Sequence, residues 1–340
     1  QHPPDDSGPK MSTLINLFKD GFLRSMLLAV AIASLFPALG KSGGTLHIDA
    51  ITNYGVALVF FLHGIGIPRE RMRAGLAHWR VHVPVQAFTF LVFPLLFWLF
   101  RPLLAMMFPP MLLLGFFYLC ALPSTITSSV ALTGAARGNV PAAIFNATLS
   151  SLLGVVLTPL LVSVMAPVTG VAPSLKTAML DIASLLLLPF VVGQLLHPRL
   201  WPLLAPHRRY TGLLDRGIVV MLVFASFSDS VAAGLWRDYH ASTLLLTLTG
   251  TGLLLTIVLL LTRSVARLTG LRREDEIVVV FCGSKKTLAA GVPMAKVLFG
   301  AHPGLGLIVL PVMFYHQLQL VVCAALAQRY ARSAPSTPAP

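Results

Sequence analysis

Long apolar runs alternate with short polar segments along almost the whole chain. Each run is close to the roughly 20 residues that a helix needs to cross a bilayer. The polar segments are too short to form a separate soluble domain. The pattern predicts an all-α polytopic membrane protein with ten transmembrane helices, over Phe22–Leu39, Ile48–Ile67, Val81–Phe100, Met111–Thr133, Val140–Met165, Met179–Leu196, Leu213–Ala233, Thr243–Leu261, Ile277–Leu298 and Leu305–Leu326.

The composition supports a membrane environment. Of the 340 residues, 56% are hydrophobic and only 11% are charged, whereas a soluble domain carries about 25% charged residues. The net charge of +13 does not indicate a nucleic-acid binder, because the arginines lie in short segments between apolar runs and form no solvated basic face. The three cysteines each lie inside an apolar run without a metal-ligand spacing, so we expect neither a metal site nor another cofactor.

The basic residues also predict an orientation. With the N-terminus in the cytoplasm, 18 Lys and Arg residues lie inside and four lie outside. The positive-inside rule therefore places both termini in the cytoplasm, and the expected location is a bacterial inner membrane. We expect a polar leader over residues 1–20 and a disordered Pro/Ala/Ser-rich tail over residues 331–340.

Segments four and nine are interrupted by polar residues in their middle. Segment four carries Pro-Ser-Thr-Ile-Thr-Ser-Ser from Pro123 to Ser129, and we expect proline to break the helix because it removes a backbone donor and clashes with the preceding turn. Segment nine carries Gly-Ser-Lys-Lys-Thr from Gly283 to Thr287. Two interruptions at matching positions in two sets of five segments predict an inverted-repeat transporter, with the breaks crossing near the membrane centre.

The two adjacent lysines of segment nine are the sharpest feature of the sequence. A charge at the bilayer centre costs at least about 2.5–3.5 kcal/mol, so each lysine needs a partner. We predict that Lys285 bridges the two broken helices, donating to helix-terminal carbonyls and to the hydroxyls of segment four. Lys286 would then face an anionic substrate. The alternative is that both lysines lie near water at a misplaced helix boundary.

Other polar residues extend this predicted site. The segment-four hydroxyls could instead bond to their own helix one turn earlier, and His316 could be either a satisfied core residue or a proton relay. The predicted substrate- and ion-binding residues are Thr127, Ser128, Ser129, Asn146, Ser284, Lys285, Lys286, Thr287, His316, Gln317, Gln86 and Thr89.

Three stretches carry a family resemblance. They are Pro123–Val130 followed by Ala-Arg-Gly-Asn-Val at 136–140, Leu-Leu-Pro-Phe-Val-Val-Gly at 187–193, and Tyr-His-Gln at 315–317. They resemble the bile acid:sodium symporter family, and the similarity runs from about Phe22 to Tyr330. The resemblance implies two inverted five-helix repeats, with crossing broken helices four and nine. It further implies a panel domain over 21–67 and 175–240 (helices one, two, six and seven), and a core domain over 68–174 and 241–330.

The sequence departs from the sodium-coupled members of that family. Ser128-Ser129 stands where they have a Ser-Asn pair, and Asn146 stands where they have a threonine ligand. Phe281 replaces a sodium-binding glutamate, and Lys285-Lys286 replaces Gln-Asn. The Gly-Ser-Lys-Lys-Thr motif instead resembles a divergent branch of the family. We therefore predict that the sodium sites are not intact, that a lysine takes the place of sodium, and that proton coupling is an option because a poorly solvated amine can release its proton.

These observations predict a secondary transporter of a small organic solute, an anion being one option, working by alternating access. Its expected partners are this solute and the lipid bilayer, and not nucleic acid. A non-transporting regulator of ion homeostasis is the main alternative. A membrane-embedded enzyme is less favoured because the sequence shows no nucleophile, base and acid set, and a channel is less favoured because no ring of charges or filter repeat is evident.

Overall fold

The structure is a computed structural model that describes residues 21–41, 43–44, 46, 48–66, 78–169, 183–234, 241–300 and 302–333. The predicted leader, the last part of the predicted tail and most of the basic loop after segment two lie outside the described residues. The start of segment six at Met179 also lies outside them.

The described residues form helices, and no strand occurs among them. A helix or a broken pair of helices falls on each of the ten apolar segments, so the all-helical prediction is confirmed. In chain order these are α1 (Gly21–Leu35), α2 (Ile48–Ile65), α3 (Trp79–Met107), α4a (Pro110–Ala121), α4b (Thr127–Ala135), α5 (Val140–Thr169), α6 (Leu188–Leu204), α7 (Arg208–Ala232), α8 (Ala241–Leu268), α9a (Arg273–Ser284), α9b (Gly291–Phe299) and α10 (Leu305–Arg332).

Five helices are long and apolar enough to cross a membrane by themselves. They are α3, α7, α8, α10 and the Val140–Ser163 part of α5. The broken pairs α4a/α4b and α9a/α9b contain shorter helices, so each could span only as a pair. The number of spans therefore stays a prediction.

The two predicted helix breaks are present. Helix α4a ends at Ala121, one residue before Leu122-Pro123, and α4b begins at Thr127. Helix α9a ends at Ser284, and α9b begins at Gly291 after a non-helical stretch that contains both lysines. Proline explains the first break because it supplies no backbone donor to the turn before it. The second break contains no proline, so the loss of a backbone donor does not explain it in the same way.

Helix α3 changes its hydrogen-bonding register in the middle. Residues Phe88–Val92 form a π-helical turn, in which the N–H of Phe93 donates to the carbonyl of Phe88. The same register would pair the carbonyl of Thr89 with residue 94, which is a proline and has no N–H. The carbonyl of Thr89 is therefore left free for a partner outside the helix, as is common at π-helical turns near functional sites.

The Ala-Arg-Gly-Asn-Val motif forms the turn between α4b and α5. Arg137 has a positive φ of 61°, and Asn139 caps α5 by accepting a hydrogen bond from the N–H of Ala142 at 3.1 Å. The Asn139 side chain also donates to Asp275 at 2.9 Å in the first turn of α9a. The motif thus holds the turn that follows α4b against the first turn of α9a.

Candidate functional site: two crossed helix breaks beside a crevice

The ammonium group of Lys286 joins three helices at the crossing of the two breaks. Its Nζ atom donates to the carbonyl oxygens of Thr89 (2.7 Å), Cys120 (2.8 Å) and Leu122 (2.7 Å). It also lies 4.0 Å from the centre of the Phe93 ring, a cation–π geometry. The side chain is fully buried. All three ammonium donors have an acceptor, which is the condition for burying a charge.

The carbonyls of the last three residues of α4a and of Leu122 all have a partner. The carbonyl of Leu119 accepts from the N–H of Leu122, that of Ala121 accepts from the Thr158 hydroxyl at 2.8 Å, and those of Cys120 and Leu122 accept from Lys286. These groups carry the negative end of the helix dipole, so they favour a cation. Lys286 supplies that cation from within the chain.

Hydroxyls of the first break, in turn, cap the C-terminal end of α9a. Ser124 Oγ donates to the carbonyl of Cys282 at 2.7 Å, and Ser129 Oγ lies 3.5 Å from the carbonyl of Phe281. The N–H of Thr287 donates to the carbonyl of Pro123 at 3.0 Å. The breaks therefore contact each other directly, as the sequence predicted. Their depth in the membrane stays a prediction.

Helix α10 fixes the second break from the other side. The side-chain amide of Gln319 accepts from the N–H of Lys286 and donates to its carbonyl, and Tyr315 donates to the carbonyl of Ser284 at 2.6 Å. Gln319 also contacts His316 Nδ1 at 2.9 Å. Gln319 was not among the residues predicted for the site. The signal that could have found it is its spacing of three residues from His316, which places both on one helix face.

The prediction for Lys285 is wrong. Its Nζ atom is buried and has no hydrogen-bond partner among the described residues, and its electrostatic neighbours are the thiols of Cys323 and Cys282. The bridging role falls to Lys286. The reason is the geometry of the break, where backbone carbonyls lie within reach of only the second lysine. Both lysines are 0% exposed and neither lines the crevice described next, so a contact between Lys286 and a substrate stays a prediction.

A crevice of about 470 Å³ lies beside the breaks, within the range of small-molecule sites. One wall is made by α1, α2, α6 and α7 and includes Phe22, His63, Trp201, Thr211, Asp215 and Arg216. The other wall is made by α4b, α5, α9b, α10 and the two breaks, and it includes Ser124, Thr127, Ser128, Thr287, Ala290 and His316.

The structure brings part of the predicted site to the crevice. Thr127, Ser128, Thr287 and His316 line it, whereas Ser129 is buried behind it and bonds to Thr125 at 3.0 Å. The Thr125 hydroxyl also lies 2.7 Å from that of Ser128, so these side chains form a small hydroxyl cluster at the start of α4b.

Other predicted residues lie elsewhere. Asn146 contacts His82 Nδ1 at 2.9 Å and accepts from Gln86, so this cluster joins α5 to α3. The hydroxyls of Ser284 and Thr89 bond back to their own helices, the alternative considered for segment-four hydroxyls. Thr89 reaches the crossing through its carbonyl and not its side chain. Gln317 is partly buried and does not line the crevice.

Long apolar helices, two crossed breaks and a crevice beside them define an integral membrane protein of the transporter class. The profile of the SBF-like CPA transporter family matches residues 20–332, and the chain belongs to this family. The resemblance to the bile acid:sodium symporter type is thereby confirmed.

Curated relatives cover nearly the whole chain. The "Uncharacterized protein PA2026" of Pseudomonas aeruginosa is 44% identical over 92% of this chain and 93% of its own length. The "Putative symporter YfeH" of Escherichia coli K12 is 40% identical over 92% of this chain and 93% of its own length. The "Sodium/bile acid cotransporter 7" of Rattus norvegicus is 29% identical over 93% of this chain and 94% of its own length.

Proposed function

We propose that this protein is a secondary transporter that carries a small organic anion through the crevice by alternating access. The observation that carries the proposal is that residues of both helix breaks line the same crevice. Broken helices beside a crevice are where transporters of this architecture bind their substrates. The printed name of the relative "Putative symporter YfeH" supports the same class of function.

The anion is inferred from the two half-helices that begin at the crevice. Helix α4b starts at Thr127 without a side-chain cap, and α9b starts at Gly291 just after Ala290, also without one. Thr127 and Ala290 both line the crevice. The first N–H groups of a helix lack intrahelical acceptors and carry the positive end of the dipole. Two such ends at one space favour a carboxylate or another anion.

Lys286 takes the role that sodium has in sodium-coupled relatives. It places a fixed positive charge on carbonyl oxygens at the crossing, and a second cation in the same shell would be repelled. Sodium is therefore not required for the crossing to be stable. Proton coupling remains the alternative source of energy, since a secondary transporter needs a coupling gradient if it concentrates its solute.

The proposed architecture has ten spans in two inverted five-helix repeats. The panel domain comprises 21–67 and 175–240, and the core domain comprises 68–174 and 241–330. Residues of both sets of ranges line the crevice, as expected for a crevice between two domains. In the proposed orientation both termini are in the cytoplasm of a bacterial cell, and the crevice opens to that side, near Arg216 at the start of α7.

The test is a ligand screen followed by uptake. The full chain, purified in detergent, is screened for thermal stabilisation by a library of small organic acids and matched neutral amides, because a ligand of the folded form raises its apparent stability. We expect stabilisation by acids and not by their amides, followed by uptake of those acids into proteoliposomes. Stabilisation by an acid that is never taken up would contradict transport and favour the non-transporting regulator.

A further inference from the structure

One wall of the crevice carries an acidic side chain. Asp215 lies on α7, and among the described residues that line the crevice it is the one acid. The basic lining residues are Arg216, His63 and His316. An acid is unexpected in a space whose opposite wall favours an anion, because a carboxylate there repels a second negative charge. It therefore calls for a cationic or hydrogen-bond-donating partner.

The residues around Asp215 only partly supply a cationic or hydrogen-bond-donating partner. His63 Nε2 lies 3.4 Å from Asp215 Oδ1, and the two side chains are 30% and 19% exposed. Asp215 Oδ1 has no hydrogen-bond donor among the described residues, so the contact with His63 is a loose ion pair. The neighbouring guanidinium of Arg216 lies over the Phe22 ring, 5.7 Å from its centre. Among the described residues, the ion-pair partner of Asp215 is therefore His63 and not Arg216.

The two walls therefore offer opposite chemistry to one ligand. The half-helix N-termini on the wall with Thr127 and Ala290 suit a negative group, as proposed above. Among the described residues of the wall with Asp215, the Asp215 carboxylate is the side chain that suits a positive group, beside the basic His63 and Arg216. The rest of the lining includes apolar side chains such as Phe60, Phe190 and Leu320, which suit a hydrocarbon spacer between the two groups.

We propose that the solute is a zwitterion, with a carboxylate at the half-helix N-termini and an ammonium group at Asp215. This inference rests on the proposed function and names the class of anion that the crevice selects. An ammonium group supplies donors and a positive charge to Asp215, and it removes the repulsion that a simple carboxylate or a dicarboxylate would meet.

The experiment compares three series of compounds with equal chain lengths of four to eight carbons. They are straight-chain alkanoates, the ω-amino alkanoates and the alkane dicarboxylates, each titrated against the thermal stability of the purified full chain. At the chain length that fits, we expect the ω-amino alkanoate to bind about tenfold more tightly than the alkanoate, which corresponds to one ion pair of ordinary strength. The dicarboxylate should bind more weakly than both.

The variant Asp215→Asn tests whether this side chain causes the preference for the ω-amino alkanoate over the alkanoate. It should bring the two affinities close to equality, because ω-amino alkanoates lose the attraction to the Asp215 carboxylate and alkanoates lose the repulsion from it. Glu274→Gln is the matched control, because Glu274 is an exposed acid at the start of α9a and does not line the crevice. It should keep the full preference.

The outcomes separate this inference from the proposed function. Equal stabilisation by alkanoates and ω-amino alkanoates in the wild type overturns the zwitterion and leaves anion binding in place. Stabilisation by none of the three series contradicts both. If Asp215→Asn lowers the melting temperature but keeps the wild-type preference, the His63–Asp215 pair only braces α2 against α7, and the inference is wrong. The wild-type comparison stands even if the variant fails to fold.

Discussion

Lys286 donates a hydrogen bond to the carbonyl of Thr89, which precedes it by 197 positions. That carbonyl is available because a π-helical turn in α3 pairs it with Pro94, which has no N–H. Two local irregularities that each look unfavourable, a buried lysine and an unpaired carbonyl, therefore satisfy one another. The contact fixes α3 to the crossing of the two broken helices.

The adjacent lysines should respond in opposite ways to the same substitution. Lys286→Met leaves three buried carbonyls without a donor, at about 1–3 kcal/mol for each unsatisfied group, so the melting temperature in detergent should fall sharply. Lys285→Met replaces a buried amine that has no hydrogen-bond partner among the described residues. It should be neutral or stabilising, because a buried unpaired charge is unfavourable.

Differential scanning fluorimetry on the two variants, prepared in parallel, measures this contrast. Lys286→Arg is a further check, since the planar guanidinium does not match three carbonyls around one compact ammonium, and it should recover only part of the loss. Equal destabilisation by the two methionine substitutions would show that Lys286 has no special role.

Solute binding should not depend on sodium. The fixed charge of Lys286 lies on the carbonyls of the crossing, and the buried side chain of Phe281 carries no oxygen ligand. Exchange of sodium for potassium at constant ionic strength should leave solute-induced thermal stabilisation and proteoliposome uptake unchanged. A saturable sodium dependence in the wild type that disappears in Ser129→Ala would contradict this prediction.

A contact between α7 and the start of α10, away from the crevice, should hold the protein closed at that end. Ser230 donates to the carbonyl of Pro303 at 2.6 Å and accepts from the N–H of Gly306 at 3.2 Å. Ser230 lies 15 residues, or about 22 Å, along α7 from Asp215. A side chain at Gly306 would meet Ser230 Oγ at 2.7 Å. Gly306→Val should therefore open this end and shift the population away from the crevice-open state.

Thiol labelling can report this shift. Cys120, Cys282 and Cys323 are buried, so a cysteine introduced at Thr127 in the crevice should dominate labelling by a bulky hydrophilic maleimide. The labelling rate should fall several-fold in Thr127→Cys/Gly306→Val. Thr127→Cys/Gly217→Val is the control, because a Cβ at Gly217 meets nothing within 4 Å. An unchanged rate in the first variant would show that the contact with Ser230 does not hold the crevice open.

Close packing of α2 on α6 should tolerate no side chain at two glycines. A Cβ at Gly64 would overlap the carbonyl oxygen of Phe190, and one at Gly193 would overlap that of Phe61. Because the obstacle is backbone on both sides, Gly64→Ala and Gly193→Ala should each destabilise by about 1–3 kcal/mol or more. The melting temperature measures this loss, and Gly217→Ala should show no comparable one.

Local sequence signals predicted most of the helices, and they gave a physical reason for one of the two breaks. Apolar runs of membrane length form helices because lipid offers no partner to backbone polar groups, and Pro123 ends α4a by removing a donor. The family resemblance also followed from short motifs, and Asn139 explains one of them, since it caps α5 and binds Asp275.

The partners of the polar side chains could not be predicted in the same way. Lys285 and Lys286 are adjacent and chemically identical, and the sequence favoured the wrong one. Asn146 was expected at the ion site, and its contact with His82 was not predicted. Asp215, which lines the crevice, was not among the residues predicted for the site. Each outcome depends on which atoms of distant helices come within about 3 Å.

By itself, the sequence determined that this protein is helical, belongs in a membrane and has interrupted helices at matching positions, because periodicity, length and proline act locally. Only the tertiary structure decided that Lys286 holds the crossing, that hydroxyls of one break cap the other broken helix, and that Asp215 lines the crevice. Hydrogen bonds and ion pairs require defined distances between groups far apart in the chain, and those distances exist only once the helices have packed.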